Sequence, residues 1–200
     1  MSNPSRIAFV VVLAFMAAST GLARQAPAAR QNPLLVTALR TEYAENPIGI
    51  DVAAPRLSWQ IRASARGVIQ ASYQIRVAST ERALAAPKGL VWDSGIVSSE
   101  ESTYRPYAGP PLQSGRRYYW QVRVWDRSGQ ASDWSQAAFW EMGLLTPADW
   151  KASWIEPGLQ EDVTKSGPAP MLRREFVITG PIERARVYVT SHGMYEMELN

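Results

Sequence analysis

Alternation of apolar and polar residues dominates most of this chain. Leu57, Trp59 and Ile61 are separated by Ser58 and Gln60, and Tyr73, Ile75 and Val77 by Gln74 and Arg76. In RRYYWQVRVWD, Arg116 to Asp126, the set Tyr118, Trp120, Val122 and Val124 interleaves with Tyr119, Gln121, Arg123 and Trp125. A period of two sends successive side chains to opposite faces of a strand, so the first set in each run is predicted to face a core. Shorter runs predict further strands at Leu39–Tyr43, at Val91–Trp92 before the turn Asp93-Ser94-Gly95, and at Ala138–Met142. Tyr104–Tyr107 reads as an edge strand, because Pro106 cannot donate to a ladder. Glu81–Ala86 can form one helical turn that Lys88-Gly89 ends, and no amphipathic helix is predicted anywhere.

Seven short strands over about a hundred residues, with Gly and Pro between them, indicate an all-β, antiparallel sandwich. Tyr118 sharpens this. It opens the strongest strand, with Leu112 and Gly115 just upstream, where a tyrosine hydroxyl can bond back to nearby backbone while its ring fills the end of the core. Residues 37–143 are therefore read as a fibronectin type III-like (immunoglobulin-like) domain. Residues 24–36, rich in Ala, Gln, Pro and Arg, read as a flexible leader, and 144–170 as a linker in which Trp150 and Trp154 pack onto something. Strand patterns resume at Arg173–Ile178, Ala185–Thr190 and Tyr195–Leu199. Three strands cannot bury two faces, so 171–200 is expected to be the start of a second, truncated β-sandwich.

Composition narrows the chemistry. The absence of Cys excludes disulfides, thiol catalysis and Cys-based zinc sites. The single His, His192, rules out a His-rich metal site and argues against a Ser-His-Asp triad. A net charge of +3 from scattered basic residues gives no nucleic-acid footprint. At the N-terminus, Arg6 precedes the apolar run Ile7–Ala18, which is short for a bilayer span, and Gly21-Leu22-Ala23 fits a small-x-small cleavage site. Residues 1–23 are expected to be a signal peptide. The mature protein is then exported, periplasmic or extracellular, with no membrane attachment after cleavage.

Two features invite a catalytic reading. Glu196 and Glu198 lie on one face of the last strand pattern, with backbone positions about 6.5–7 Å apart. That approaches the roughly 6.5–9.5 Å between the carboxyls of inverting glycosidases. Catalytic carboxyls, however, face each other across a bound sugar, one with its pKa raised by burial, whereas these two point the same way. No catalytic, cofactor-binding or metal-binding residue is assigned, and no cofactor is expected. His192, in the turn Ser191-His192-Gly193, is read as structural or exposed. Trp92, Trp125, Trp134 and Trp140 are the candidates for a sugar-stacking platform, with Trp125 favoured because alternation turns it outward. An outward Trp also suits packing against a neighbouring domain, and that reading is preferred.

Several segments carry a resemblance. ENPIGIDVAAPRLSW (Glu45–Trp59), YQIRVAST (Tyr73–Thr80), VWDSGIVSSEES (Val91–Ser102), YAGPPLQSGRRYYWQVRVWD (Tyr107–Asp126), FWEMGLLTPADWKASWI (Phe139–Ile155) and RARVYVTSHGMYEMELN (Arg184–Asn200) resemble, in order and spacing, the N-terminal part of bacterial α-L-rhamnosidases of glycoside hydrolase family 78. The resemblance implies a fibronectin-like domain, then a β-sandwich, an (α/α)6 barrel and a C-terminal β-domain. It places the catalytic acid and base in the barrel, so none falls on these residues. It further implies a parent hydrolase that removes terminal non-reducing α-L-rhamnose with inversion and without a cofactor. The chain is then a fragment, predicted inactive alone. It would meet rhamnose-containing glycosides only through the missing catalytic domain, and would itself pack intramolecularly on the missing domains. The alternative left open is a free-standing secreted carbohydrate- or protein-binding β-sandwich module.

Overall fold

The computed structural model describes residues 34–159, 162, 164, 165, 167–182 and 184–199. The signal peptide and most of the leader therefore lie outside the described residues. The chain divides into two units between Trp150 and Lys151.

The first unit is a sandwich of two antiparallel sheets. Its strands are β1 (Leu34–Thr41), β2 (Arg56–Ala63), β3 (Gln70–Ala78), β4 (Leu90–Asp93), β5 (Val97–Ser98), β6 (Arg105–Pro106), β7 (Arg117–Asp126) and β8 (Ala138–Glu141). One sheet runs β1-β2-β6. The other runs β4-β3-β7-β8, with β5 also paired to β3. The helical features among the described residues are three 3₁₀ turns, Glu81–Ala85, Pro87–Gly89 and Pro147–Asp149. The first replaces the expected helical turn, and Thr80 caps it by accepting from the Ala83 amide.

The alternating residues form the core as expected. Leu57 and Trp59 from one sheet meet Ile75, Val77, Trp120, Val122 and Val124 from the other, all essentially buried. The β3–β7 register pairs Tyr73 with Val124, Ile75 with Val122 and Val77 with Trp120, so inward residues of adjacent strands pack side by side. Tyr118 makes the anticipated corner: its hydroxyl accepts a 3.0 Å hydrogen bond from the Gln113 amide, and its ring stacks on Trp140.

The edge of β8 is covered by the segment before β2. The Glu141 amide donates to the Pro47 carbonyl at 2.9 Å, the Ile50 amide to the Glu141 carbonyl at 3.0 Å, and Ile50 and Met142 form a parallel bridge. Between β7 and β8 the chain does not make a simple hairpin. The Asp126 carboxylate gathers the amides of Ser128 and Gln130, and the hydroxyls of Ser132 and Ser135 accept from the amides of Val124 and Val122.

The structure changes three expectations. Leu34 to Val36, assigned to the leader, begin β1: Leu34 and Val36 are buried and pair with Ala63 and Ile61. The pattern was hidden by a bulge, where the register shifts between Thr37 and Arg40 and Ala38 takes a left-handed φ of 51°. The two-residue strand β5 was too short to show a period. In the second unit, the three strands expected at 173–178, 185–190 and 195–199 are not formed: the described residues of 151–199 contain no strand. Their apolar residues, Phe176, Ile178, Val187, Val189, Tyr195, Met197 and Leu199, are exposed. Alternation marks the face a strand would bury, but a strand exists only through a ladder, and these segments form none.

Candidate functional site

The described residues contain no group of three or more His, Cys, Asp or Glu able to hold a metal ion. Three carboxylates of the first unit are held by basic or amide partners. Glu42 receives the Arg56 guanidinium in a fork, with Nε at 3.1 and 3.2 Å and Nη2 at 2.6 Å, and this holds its carboxyl below the usual range. Burial pushes Asp93 upward. Hydrogen bonds from Gln74, the Gly95 amide and Arg76 outweigh that effect and leave it lowered. Glu141 is buried and paired with Arg117 at 3.2 Å. A general acid needs a raised pKa, the opposite of what Glu42 and Asp93 show. Glu196 and Glu198 are exposed residues of the second unit, as the solvated reading of that pair requires. In the same unit His192 stacks on Trp154, with ring centres 4.2 Å apart and planes within 13°. Both residues are exposed.

The four tryptophans considered as a platform separate into two groups. Trp140 is fully buried, and Trp92 turns inward to pack edge-to-face on Tyr107 at 5.1 Å. Trp125 and Trp134 instead lie on the outer face of the five-stranded sheet. There β7 presents Arg117, Tyr119, Gln121, Arg123 and Trp125, β3 presents Gln74 and Arg76, and the segment before β8 contributes Trp134. Guanidinium groups lie over the rings: Arg123 is 4.6 Å from the centre of Trp125 and 5.2 Å from that of Trp134, and Arg76 is 4.4 Å from Trp134. Arg117 similarly covers Phe139 at 4.1 Å. Beside Trp134 a groove of about 460 Å³ runs between Arg76, Gln121, Glu81 and Leu84. Alternation foretold which residues of β7 face outward. Trp134 sits in an irregular segment and could not be placed by period.

Sequence reasoning missed a second surface cluster. The Arg56 guanidinium lies between the rings of Tyr43 and Tyr104, 5.1 and 5.5 Å from their centres. Both rings are about half exposed, and Glu42, Tyr43 and Tyr104 all take left-handed φ values, of 47°, 73° and 53°. Such backbone is uncommon for bulky residues, and no residue type in the segment announces it.

Comparison with known proteins bears on this architecture. A family model described as the Rha78A-like, N-terminal immunoglobulin domain matches residues 36–146. An α-L-rhamnosidase of Streptomyces avermitilis is 47% identical over 138 residues, covering 69% of this chain and 12% of that protein. One from Formosa agariphila is 36% identical over 166 residues, covering 80% of this chain and 18% of its own length. Among solved structures, the Streptomyces avermitilis α-L-rhamnosidase complexed with L-rhamnose aligns with a TM-score of 0.59 at 50% identity, over 62% of this chain and 12% of that one. The α-L-rhamnosidase of Dictyoglumus thermophilum aligns with a TM-score of 0.59 at 35% identity, over 61% and 14%. The chain thus spans less than a fifth of the length of the relatives it matches.

Proposed function

The chain belongs to the family of Rha78A-like, N-terminal immunoglobulin domains, and from that premise we propose that it is the N-terminal, non-catalytic part of an exported α-L-rhamnosidase. The whole enzyme would hydrolyse terminal non-reducing α-L-rhamnose from rhamnosides. One observation carries the reading. The match to the Streptomyces avermitilis α-L-rhamnosidase covers 69% of this chain, yet it occupies only 12% of that protein. The sandwich then serves as a scaffold that packs on other domains of the enzyme. Export is supported by Arg6, the apolar run Ile7–Ala18 and the small residues ending at Ala23.

The test is direct. The purified chain, offered p-nitrophenyl α-L-rhamnoside, should release no nitrophenol above the buffer rate. Turnover abolished by Glu196→Gln or Glu198→Gln would overturn the non-catalytic assignment.

A further inference from the structure

Three arginines of the outer sheet face lie over aromatic rings, and two of them are neutralised. Arg76 pairs with Asp93 at 3.1 Å, and Arg117 with the buried Glu141 at 3.2 Å. Arg123, further along β7 and opposite Gln74, has no side-chain hydrogen bond or ion pair among the described residues, and its Nε is buried without an acceptor. Arg123 is itself half-buried, so its guanidinium sits on the face of the sheet with no carboxylate beside it. Stacking against Trp125 and Trp134 fixes the plane of this guanidinium in advance, so little further ordering is needed when its terminal nitrogens meet an acceptor.

We infer that Arg123, clamped by Trp125 and Trp134, anchors a docking face for a protein surface that presents an aspartate or glutamate carboxylate. Building on the scaffold reading above, that surface belongs to the remainder of the rhamnosidase polypeptide. Charge complementarity selects the partner: the face already holds a carboxylate for each of its other two stacked arginines and lacks only the one for Arg123. Its chemistry is that of protein interface centres, arginine and aromatic rings together. A saccharide fits less well. Stacking on a sugar needs an open indole face, and Trp134 carries the guanidinium groups of both Arg76 and Arg123 over its ring.

The experiment places residues 34–150 of this chain, which hold every strand of the sandwich, into the intact Streptomyces avermitilis α-L-rhamnosidase in exchange for their counterpart, and follows thermal unfolding. Arg123→Glu removes its stacking on Trp125 and Trp134 in either setting, but it should lower the Tm of this chimera by more than about 2 °C beyond its effect on the isolated 200-residue chain. Arg62→Glu, on an exposed position of the other sheet, should change neither. Should the exchange impair folding, the Streptomyces enzyme lacking its matched 138 residues is immobilised and the isolated chain is added in trans. Saturable binding that Arg123→Glu weakens at least tenfold is then expected. Equal effects of Arg123→Glu on chimera and isolated chain, or trans binding indifferent to it, would overturn the docking face while leaving the scaffold reading intact. Independent unfolding of the two parts of the chimera, with no trans binding by the unaltered chain, would overturn both. Binding of polygalacturonate by the isolated chain, lost in Arg123→Glu, would reassign the site to acidic glycans and overturn the protein partner.

Discussion

The indole Nε1 of Trp59 donates a 3.0 Å hydrogen bond to the side-chain oxygen of Gln70, and the Gln70 amide nitrogen donates in turn to the carbonyls of Ser99 and Glu101 at 2.9 and 3.0 Å. Trp59 belongs to β2 of the three-stranded sheet and Gln70 opens β3 of the five-stranded one, so this polar chain crosses the core and ties the sheets together. Both side chains are buried, yet the indole donor, the amide oxygen and the amide nitrogen each have a partner. The ring of Trp59 also meets Tyr73 edge-on at 5.0 Å.

Substitutions at Trp59 should therefore separate packing from hydrogen bonding. Trp59→Ala removes a large core ring and is expected to cost about 3–5 kcal/mol of unfolding free energy. Trp59→Phe keeps an aromatic ring but leaves the Gln70 oxygen without its donor, for a loss of about 1–3 kcal/mol. Urea denaturation of the chain, monitored by far-ultraviolet circular dichroism, measures both. A loss below about 0.5 kcal/mol for Trp59→Ala, the scale of surface changes, would contradict the core placement.

Tyr118 offers a cleaner deletion, since its hydroxyl accepts from the Gln113 amide just upstream. Tyr118→Phe keeps the stack on Trp140 and strips only the acceptor. The expected cost is about 1–3 kcal/mol, with an unchanged m-value because the surface exposed on unfolding stays the same. A neutral result would show that the corner bond adds nothing to stability.

Tyr107 should make the fold sensitive to alkali. Burial, with a smaller contribution from Tyr118, pushes its phenol up to about 12 from an ordinary 10.0, and its hydroxyl donates to the Pro110 carbonyl at 2.8 Å. A raised pKa means that the folded state holds the proton more tightly than the unfolded chain. Its contribution to stability is thus fully present below pH 10 and lost as pH rises from there through about 12. Tyr107→Phe should flatten this part of the stability–pH curve. Some slope should persist, because burial also raises Tyr73. Denaturation midpoints from pH 8 to 11.5 check this, and an unaltered alkaline slope in Tyr107→Phe would count against the assignment.

Much of this fold was legible because its core-forming strands are long enough to display a period. Tyr118 to Val124 announced both faces of β7, and with them the positions of Arg123 and Trp125. What the sequence concealed depends on backbone irregularity or on partners distant in the chain. The bulge at Ala38 disguised the start of β1, and β5 has only two residues. The serine hydroxyls of Ser132 and Ser135 take over ladder bonds, so the run before β8 shows no alternation. At the candidate site, outward direction was readable but pairing was not. Nothing local to Arg76 or Arg117 says that Asp93 and Glu141 neutralise them while Arg123 goes without.

The two units should differ sharply in resistance to proteases. The first buries a continuous core and satisfies its backbone in two sheets. The described residues of the second contain no strand or helix and leave most of their apolar side chains exposed. A protease needs several residues of extended, accessible backbone, and local stability of the substrate segment sets how often it finds them. Lys151, Lys165, Arg173 and Arg174 are all exposed, whereas Arg76, Arg117 and Arg123 lie within paired strands of the sandwich. Brief trypsin treatment should accordingly remove the second unit first and leave a resistant fragment ending at or near Lys151, identified by intact mass. The severed fragment should keep the urea midpoint of the full chain, because no described ladder of the sandwich draws on residues after Trp150. Exposed apolar side chains also favour self-association, so the fragment should stay monomeric at concentrations where the full chain scatters light. Cleavage inside β3 or β7 before any at Lys151 to Arg174 would mean that the sandwich is the weaker unit and that the second is ordered in a way its exposed residues do not suggest.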